Sequence, residues 1–144
     1  MTTGARVYLD TNALIGILEK AEELNEAQDL LVEEINTGDL EAVTSELALA
    51  ECLVKPIADR DETLIRDYMW LLATDSKFLR VMPVTRDVIL EAARVRAGSG
   101  IKLPDAIHLA TAKMAGCNAF VSNDRRLATA TAMTFKLWSE MGHP

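Results

Sequence analysis

Residues 7–15 read "VYLDTNALI", and this stretch predicts how the chain begins to fold. Residues 7–9 are hydrophobic and favour a buried strand. Leu14 and Leu18 suit one face of a helix that follows it. Asp10 stands between the two, although an aspartate is ionised in water at neutral pH. The placement of a carboxylate where a hydrophobic strand gives way to a helix therefore needs an explanation.

The composition is typical of a soluble globular chain, and we expect residues 1–144 to form one domain. Hydrophobic residues make up 49% of the 144 residues and charged residues 26%. No apolar run approaches the roughly 20 residues that span a bilayer, and the first ten residues lack the features of a signal peptide. Cys52 and Cys117 form no metal-ligand pattern and are expected to be reduced and buried. We therefore expect a cytoplasmic protein.

The formal net charge of −7 argues against a protein that coats nucleic acid through a basic surface. It does not exclude a nuclease. Several carboxylates gathered in one metal site would supply part of this charge, and a bound cation would offset it locally.

Five short apolar runs rich in β-branched and aromatic residues predict strands at 6–9, 41–44, 80–85, 119–122 and 133–138. Helical patterns lie between them, at 12–18, 22–35, 46–55, 60–72, 87–96 and 104–116, with a short seventh after Asp124. Pro56 is expected to end the third helix. Strands that alternate with helices predict an α/β fold with a five-stranded parallel sheet flanked by helices on both faces.

Polar residues follow two of the predicted strands. Asp10 follows the first, and "AFVSNDRRL" places Ser122, Asn123 and Asp124 after the fourth. Ligands of open α/β sheets bind beyond the carboxyl ends of the strands, so Asp10 and Asp124 would meet at one rim if both strands are central. Each aspartate is also explained by the common role of a helix N-cap.

A third acid, Asp105, lies in the first turn of a helix in "IKLPDAIHLATA", where it complements the helix dipole. On a helical wheel it shares a face with His108 and the small Ala112 and Ala115. Small residues there would let the helix approach the sheet closely, so that Asp105 projects near the rim.

A fourth acid comes from "TSELALAECLV", which offers both Glu46 and Glu51. Glu46 falls inside a wide apolar arc and Glu51 at its edge, so periodicity alone does not choose between them. Carboxylates gathered at one place raise each other's pKa unless a cation lies between them. Mg²⁺ or Mn²⁺ prefers oxygen ligands and retains waters that can be activated.

Four segments carry a resemblance to a known family: "YLDTNALI", "VTSELALAECLV", "LPDAIHLATAKMAG" and "AFVSNDRRL". Over nearly its whole length the chain resembles the PIN-domain ribonucleases, specifically the VapC-like toxins of toxin–antitoxin pairs. The resemblance implies a rim of acids that binds Mg²⁺ or Mn²⁺, and it favours Glu51 over Glu46. The four implied catalytic and metal-binding residues are Asp10, Glu51, Asp105 and Asp124. Asn12 and Ser122 match supporting polar positions.

These residues predict a Mg²⁺- or Mn²⁺-dependent endoribonuclease, in which a metal-bound water attacks a phosphodiester. Basic residues beside the motifs are weaker candidates for phosphate contacts, because surface charges are more often simply solvated. They are Lys55, Lys102, Arg125 and Arg126. His108 is interpreted as a structural histidine, since the metal already supplies the activated water. Trp70 and Trp138 are interpreted as core or interface aromatics.

The resemblance also predicts the partners. They are an RNA substrate, a small antitoxin that covers the metal rim, and a second copy of the chain, but no membrane. Apolar helical faces at residues 30–35 and 69–72 are candidates for the homodimer contact. Two alternatives remain. The first is a receiver-like phospho-accepting domain, which normally needs paired acids near the first strand, whereas "ARVYLDTN" supplies only one acid. The second is a non-catalytic PIN-like scaffold, which would not need the four acids.

Overall fold

The computed structural model describes residues 4–142 and contains one five-stranded sheet. The strands are β1 (Arg6–Leu9), β2 (Glu41–Ser45), β3 (Leu79–Met82), β4 (Ala119–Ser122) and β5 (Thr134–Leu137). Their order across the sheet is β3-β2-β1-β4-β5, and every neighbouring pair is parallel. The predicted fold class is confirmed, and β1 lies at the centre of the sheet.

Six α-helices connect the strands or lie between them. They are α1 (Thr11–Glu19), α2 (Glu26–Thr37), α3 (Glu46–Ala58), α4 (Glu62–Leu71), α5 (Arg86–Ser99) and α6 (Leu103–Met114). Short 3₁₀ helices cover Ala21–Glu23, Arg125–Ala130 and Trp138–Glu140. In the part of the chain that the structure describes, none of the helices has the length and hydrophobicity needed to cross a membrane.

The central strand is buried on both faces of the sheet. Val7 and Leu9 of β1 belong to one hydrophobic cluster, which also includes Tyr68 of α4. Tyr8 lies between them in sequence and belongs to the opposite cluster, which includes Leu109 of α6. Alternate residues of β1 therefore face different helical layers, and this explains why the strand is hydrophobic throughout.

α2 begins at Glu26 and not at residue 22, and two further boundaries that differ from those predicted lie at prolines. Pro56 does not end α3 but lies buried inside it, and the helix continues to Ala58. A proline removes one hydrogen bond, to the carbonyl four residues earlier, and this loss is tolerated close to the end of a helix whose proline is packed in the core.

At β3 the pairing stops at Met82, before Pro83, which has no N–H to donate. Thr85 instead caps α5, where its Oγ1 accepts a hydrogen bond from the Val88 N–H.

Two further differences concern the end of the chain. The predicted seventh helix is the 3₁₀ helix at Arg125–Ala130, and β5 is shorter at both ends than predicted. On α6, the face that carries His108, Ala112 and Ala115 is buried, as the small residues on it predicted.

The strand order reverses between β1 and β4, and this reversal positions the site. The chain passes from β1 outward to β2 and β3, and then crosses to β4 on the other side of β1. The carboxyl ends of β1 and β4 are therefore neighbours, and the Asp10 N–H donates to the Val121 carbonyl at 3.0 Å. Such a switch point is where open α/β sheets bind ligands.

Gly16 allows α1 to pack closely against the last turn of the described chain. A Cβ at this position would lie 2.5 Å from Nε1 of Trp138, a side chain that is itself buried. A glycine inside a helix is normally unfavourable compared with alanine. Its presence in α1 is explained by the indole ring that occupies the space of the missing methyl group.

We predict that Gly16→Ala destabilises the protein, although helix propensity alone predicts a gain of about 1 kcal/mol. Overpacking against the indole costs about 1–3 kcal/mol, so we expect a clear fall in the midpoint of urea unfolding. Gly98→Ala in α5 is the matched control, because a Cβ there meets no atom within 4 Å, and it should raise the midpoint. Equal stability of the two variants would contradict the packing argument.

Candidate metal centre

Ser122 joins the ends of the two central strands. Its buried Oγ donates a hydrogen bond to Oδ2 of Asp10 at 2.7 Å. The same oxygen accepts a hydrogen bond from the Asp124 N–H at 3.0 Å. The residues that follow β1 and β4 are thus connected through one hydroxyl at the rim of the sheet.

Both aspartates also cap helices, as their local sequence allows. Oδ1 of Asp10 accepts from the Thr11 N–H at 2.7 Å at the start of α1. Oδ1 of Asp124 accepts from the Arg126 N–H at 3.0 Å at the start of the 3₁₀ helix. The capping role and the position at the rim therefore coexist, and the cap fixes the orientation of each carboxylate.

Glu51 reaches the rim from α3 and meets His108 from α6. Nε2 of His108 lies 2.6 Å from Oε1 of Glu51 and 3.6 Å from Oδ1 of Asp10. Oε1 of Glu51 also accepts a hydrogen bond from Oγ1 of Thr11 at 2.8 Å. Among the described residues, Asp10, Glu51 and His108 form a group whose potential ligand atoms all lie within 4.8 Å of one another.

The charges of this group support each other. Partial burial by itself would raise the pKa of Glu51. The hydrogen bond and charge of His108, together with the hydrogen bond from Thr11, outweigh this effect, so the pKa of Glu51 lies below its usual value. Burial pulls the pKa of His108 down, whereas Glu51, Asp10 and Asp105 together hold it above the usual value. Glu51 is therefore ionised at neutral pH.

Asp105 lies in the same electrostatic field but outside the close group. Partial burial raises the pKa of Asp105, and the negative charges of Asp10 and Asp124 raise it further. His108 and Arg126 oppose this effect without cancelling it. The structure thus brings Asp105 near two of the other predicted acids, with like charges that are only partly compensated.

Asp124 is paired with a cation of the chain itself. Nε and Nη2 of Arg126 donate to its two carboxylate oxygens at 2.9 and 2.6 Å. These hydrogen bonds hold the pKa of Asp124 below its usual value, against the opposing effect of burial, and Lys102 contributes in the same direction. The fourth predicted acid is therefore ionised and faces basic residues as well as the other acids.

The remaining predicted residues lie around this centre. Asn12 is exposed, and within residues 4–142 its side chain has no hydrogen bond to any of the acids. Glu46 is half-buried at the start of α3 and outside the close group. Arg125 pairs with Glu140, and Lys55, elsewhere on α3, pairs with Asp59 at 3.0 Å. Both basic side chains therefore form ion pairs with carboxylates other than the four predicted acids.

His108 is the residue whose involvement the sequence analysis missed. The sequence placed it correctly on one helical face with Asp105, but a buried structural histidine was the simpler interpretation. The structure shows that it is buried and also bonded to Glu51. What the sequence could not supply is the distance across the sheet rim from α6 to α3, which depends on how the helices pack.

The donor set fits a hard divalent cation. Asp10 and Glu51 offer carboxylate oxygens within one small group, and Asp105 and Asp124 add negative charge beside it. Oxygen ligands of this kind suit Mg²⁺ and Mn²⁺, which keep part of their water shell. The like charges around Asp105 are only partly compensated within the chain, and a bound cation would compensate them further.

The profile of the PIN domain family matches residues 7–132. The chain belongs to the PIN domain family. The match spans β1 to the end of the 3₁₀ helix that follows Asp124, and so includes every predicted acid. The resemblance predicted from the four sequence motifs is confirmed. A comparison with curated protein sequences found no match.

Solved structures share this PIN-domain architecture. VapBC2 from Rickettsia felis, bound to a DNA fragment from its promoter, aligns with a TM-score of 0.68 at 12% identity, over 92% of this chain and 98% of that chain. FitAcB from Neisseria gonorrhoeae aligns with a TM-score of 0.68 at 19% identity, over 91% and 96%. DNA-bound VapBC from Salmonella typhimurium gives 0.64 at 16% identity, over 93% and 98%. At these identities the likeness is one of fold.

We predict that Asp105→Asn stabilises the metal-free protein at neutral pH, because it removes a carboxylate whose ionised form is disfavoured by burial and by Asp10 and Asp124. Solvent screens a partly exposed group, so the gain in Tm is about 1–3 °C. An acid with a raised pKa destabilises the fold only while it is ionised. The difference from the parent should therefore vanish as the pH falls through the raised pKa to the usual aspartate range. Thermal unfolding of both proteins across this pH range is the measurement, and a lower Tm for Asp105→Asn at neutral pH would contradict the argument.

Proposed function

We propose that this PIN-domain protein is a metal-dependent endoribonuclease and the toxin of a toxin–antitoxin pair. The observation that carries the proposal is the convergence of Asp10 and Glu51 at the switch point of the sheet, with Asp105 and Asp124 in the same electrostatic field. Membership of the PIN family supports nuclease chemistry. The VapBC and toxin–antitoxin structures with the same fold support the toxin role.

In this proposal the four acids hold one or two Mg²⁺ or Mn²⁺ ions. When bound, such an ion lowers the pKa of a coordinated water and offsets negative charge on the phosphate. The protein supplies the orientation. Asp10 is held by the Ser122 hydroxyl and by its cap to Thr11, and Glu51 is held by donors from α1 and α6. Groups fixed in this way need little reorganisation when substrate binds.

The path of the RNA is proposed from a cleft beside Asp105. This cleft has a volume of about 400 Å³, and Lys102 and Arg126 contribute to its lining. Both basic residues lie close enough to Asp124 to lower its pKa, so a phosphate bound between them would be next to the acids. Arg125 and Lys55 are the weaker two of the four predicted phosphate contacts, because Arg125 pairs with Glu140 and Lys55 with Asp59, and neither partner is one of the four acids.

Protein partners form the second half of the proposal. Several structures with this fold are described as toxin–antitoxin complexes, including one from Klebsiella pneumoniae, and we propose an antitoxin that covers the acidic rim. For a homodimer the predicted helical faces offer exposed apolar side chains, among them Leu30, Met69 and Trp70, the last of which is 75% exposed. A cytoplasmic location, where RNA and antitoxin are both met, is part of the proposal.

We predict that Glu51→Gln lowers the rate of RNA cleavage by at least about 100-fold, because it removes a charge that holds the metal. Glu46→Gln is the matched control, since Glu46 lies on the same helix but outside the close group, and it should retain most activity. Cleavage of a labelled RNA with Mn²⁺, and with EDTA in its place, is the measurement.

The outcomes separate the interpretations. Cleavage by the parent with Mn²⁺ that is lost with EDTA and in Glu51→Gln supports the nuclease. An active Glu51→Gln with an inactive Glu46→Gln would reverse the assignment of the two glutamates. A parent that binds Mn²⁺ and never cleaves RNA would favour the non-catalytic PIN-like scaffold. The receiver-like alternative has no structural observation in its favour.

A further inference from the structure

His108 is a buried polar residue that connects the hydrophobic core to the acidic rim. Its exposed fraction is 1%, and both ring nitrogens have a partner. Nδ1 lies 2.6 Å from the hydroxyl of Tyr8, and Nε2 lies 2.6 Å from Oε1 of Glu51. The ring thereby bridges β1, α6 and α3, three elements that are far apart in sequence.

The position of the hydrogen atoms follows from the acceptor. An ionised Glu51 can only accept, so Nε2 must carry the hydrogen of the bond between them. This holds for the protonated ring as well as for the neutral one. In the neutral ring Nδ1 accepts the hydroxyl hydrogen of Tyr8, and in the protonated ring Nδ1 donates to the hydroxyl oxygen.

Tyr8 is held so that its hydroxyl stays at this place. Its ring stacks on Phe120 of β4, with centroids 5.0 Å apart and an angle of 6° between the planes. The edge-to-face contact with the His108 ring has a centroid distance of 5.7 Å. Packing on both sides fixes the direction of the phenol, and the phenol and the ionised Glu51 together select the tautomer of the neutral imidazole.

Glu51 is the end of this chain of bonds. Its Oε1 accepts two hydrogen bonds, one from Nε2 of His108 and one from Oγ1 of Thr11. Among the described residues Oε2 accepts none. The two donors therefore fix the rotation of the carboxylate and leave Oε2 as the oxygen that is available to a cation.

The geometry points to His108 as a positioning residue, which uses its Nε2–H to hold Glu51 for metal binding and is itself aligned by Tyr8. It is neither a metal ligand nor a general base, because the nitrogen that faces the rim is the protonated one. This inference rests on the proposed function, since it assigns Glu51 to the metal. It adds to the four acids a fifth residue, His108, which acts on the metal site through its hydrogen bond to Glu51.

The first test is the affinity for Mn²⁺, measured by electron paramagnetic resonance of the unbound ion. His108→Leu keeps a similar volume but removes the donor, and we expect a loss of about 10–100-fold in affinity, typical of a lost partner of a metal ligand. His108→Gln returns an N–H donor at a similar reach and should restore most of the affinity. A general loss of stability alone would not give this difference, and urea unfolding of each variant without metal provides the control.

The second test reads the imidazole directly. In ¹⁵N spectra of the protein we expect Nε2 of His108 to be protonated both without metal and with saturating Mg²⁺. Loss of the Nε2 hydrogen on addition of Mg²⁺ would overturn the inference, because it would make His108 a ligand. Tyr8→Phe keeps the stacked ring and removes only the hydroxyl, so it tests the same chain of bonds even if His108→Leu does not fold.

For Tyr8→Phe we expect a share of the Nδ1-protonated tautomer and weaker Mn²⁺ binding than in the parent. An unchanged tautomer with unchanged affinity would overturn the role of Tyr8. If the parent binds Mn²⁺ and His108→Leu binds it equally well, the positioning role fails while the metal site stands. If the parent binds no Mn²⁺, the proposed function fails and the inference fails with it.

Discussion

The hydrogen bond from Ser122 to Asp10 is the interaction on which the arrangement of the rim depends. It joins the residues that follow β1 and β4 at the point where the strand order reverses. Because Ser122 also accepts the Asp124 N–H, one buried hydroxyl sets the positions of two acids. The helix caps on Asp10 and Asp124 then fix the carboxylates that this bond has brought together.

The rim combines stabilising and destabilising contacts, and in our proposal a bound cation balances them. Asp10, Glu51 and Asp124 each accept hydrogen bonds from side chains of the chain itself. Among residues 4–142 no hydrogen bond reaches the Asp105 carboxylate, and partial burial together with the charges of Asp10 and Asp124 raises its pKa. Proteins often keep such local strain where a ligand relieves it.

Much of this architecture could be predicted from the sequence, because the strands carry a strong signal. The hydrophobic runs around Tyr8 and Phe120 predicted two central strands, and the acids after them predicted a polar rim. Pro56 was misplaced because packing in the core decides whether a proline near the end of a helix is tolerated. His108 was undervalued for a related reason: its bond to Glu51 joins α6 to α3, and no periodicity within one helix reveals a contact between two.

The central claim is that the switch point of this PIN domain holds a divalent cation through its acids. The most direct test is a crystal structure of the protein with Mn²⁺, with anomalous scattering measured at the manganese absorption edge. The account predicts an anomalous peak in contact with carboxylate oxygens of Asp10 and of Glu51, the latter through Oε2, while Nε2 of His108 remains bonded to Oε1. A fully ordered rim without a peak, or a peak bound away from Asp10 and Glu51, would contradict it.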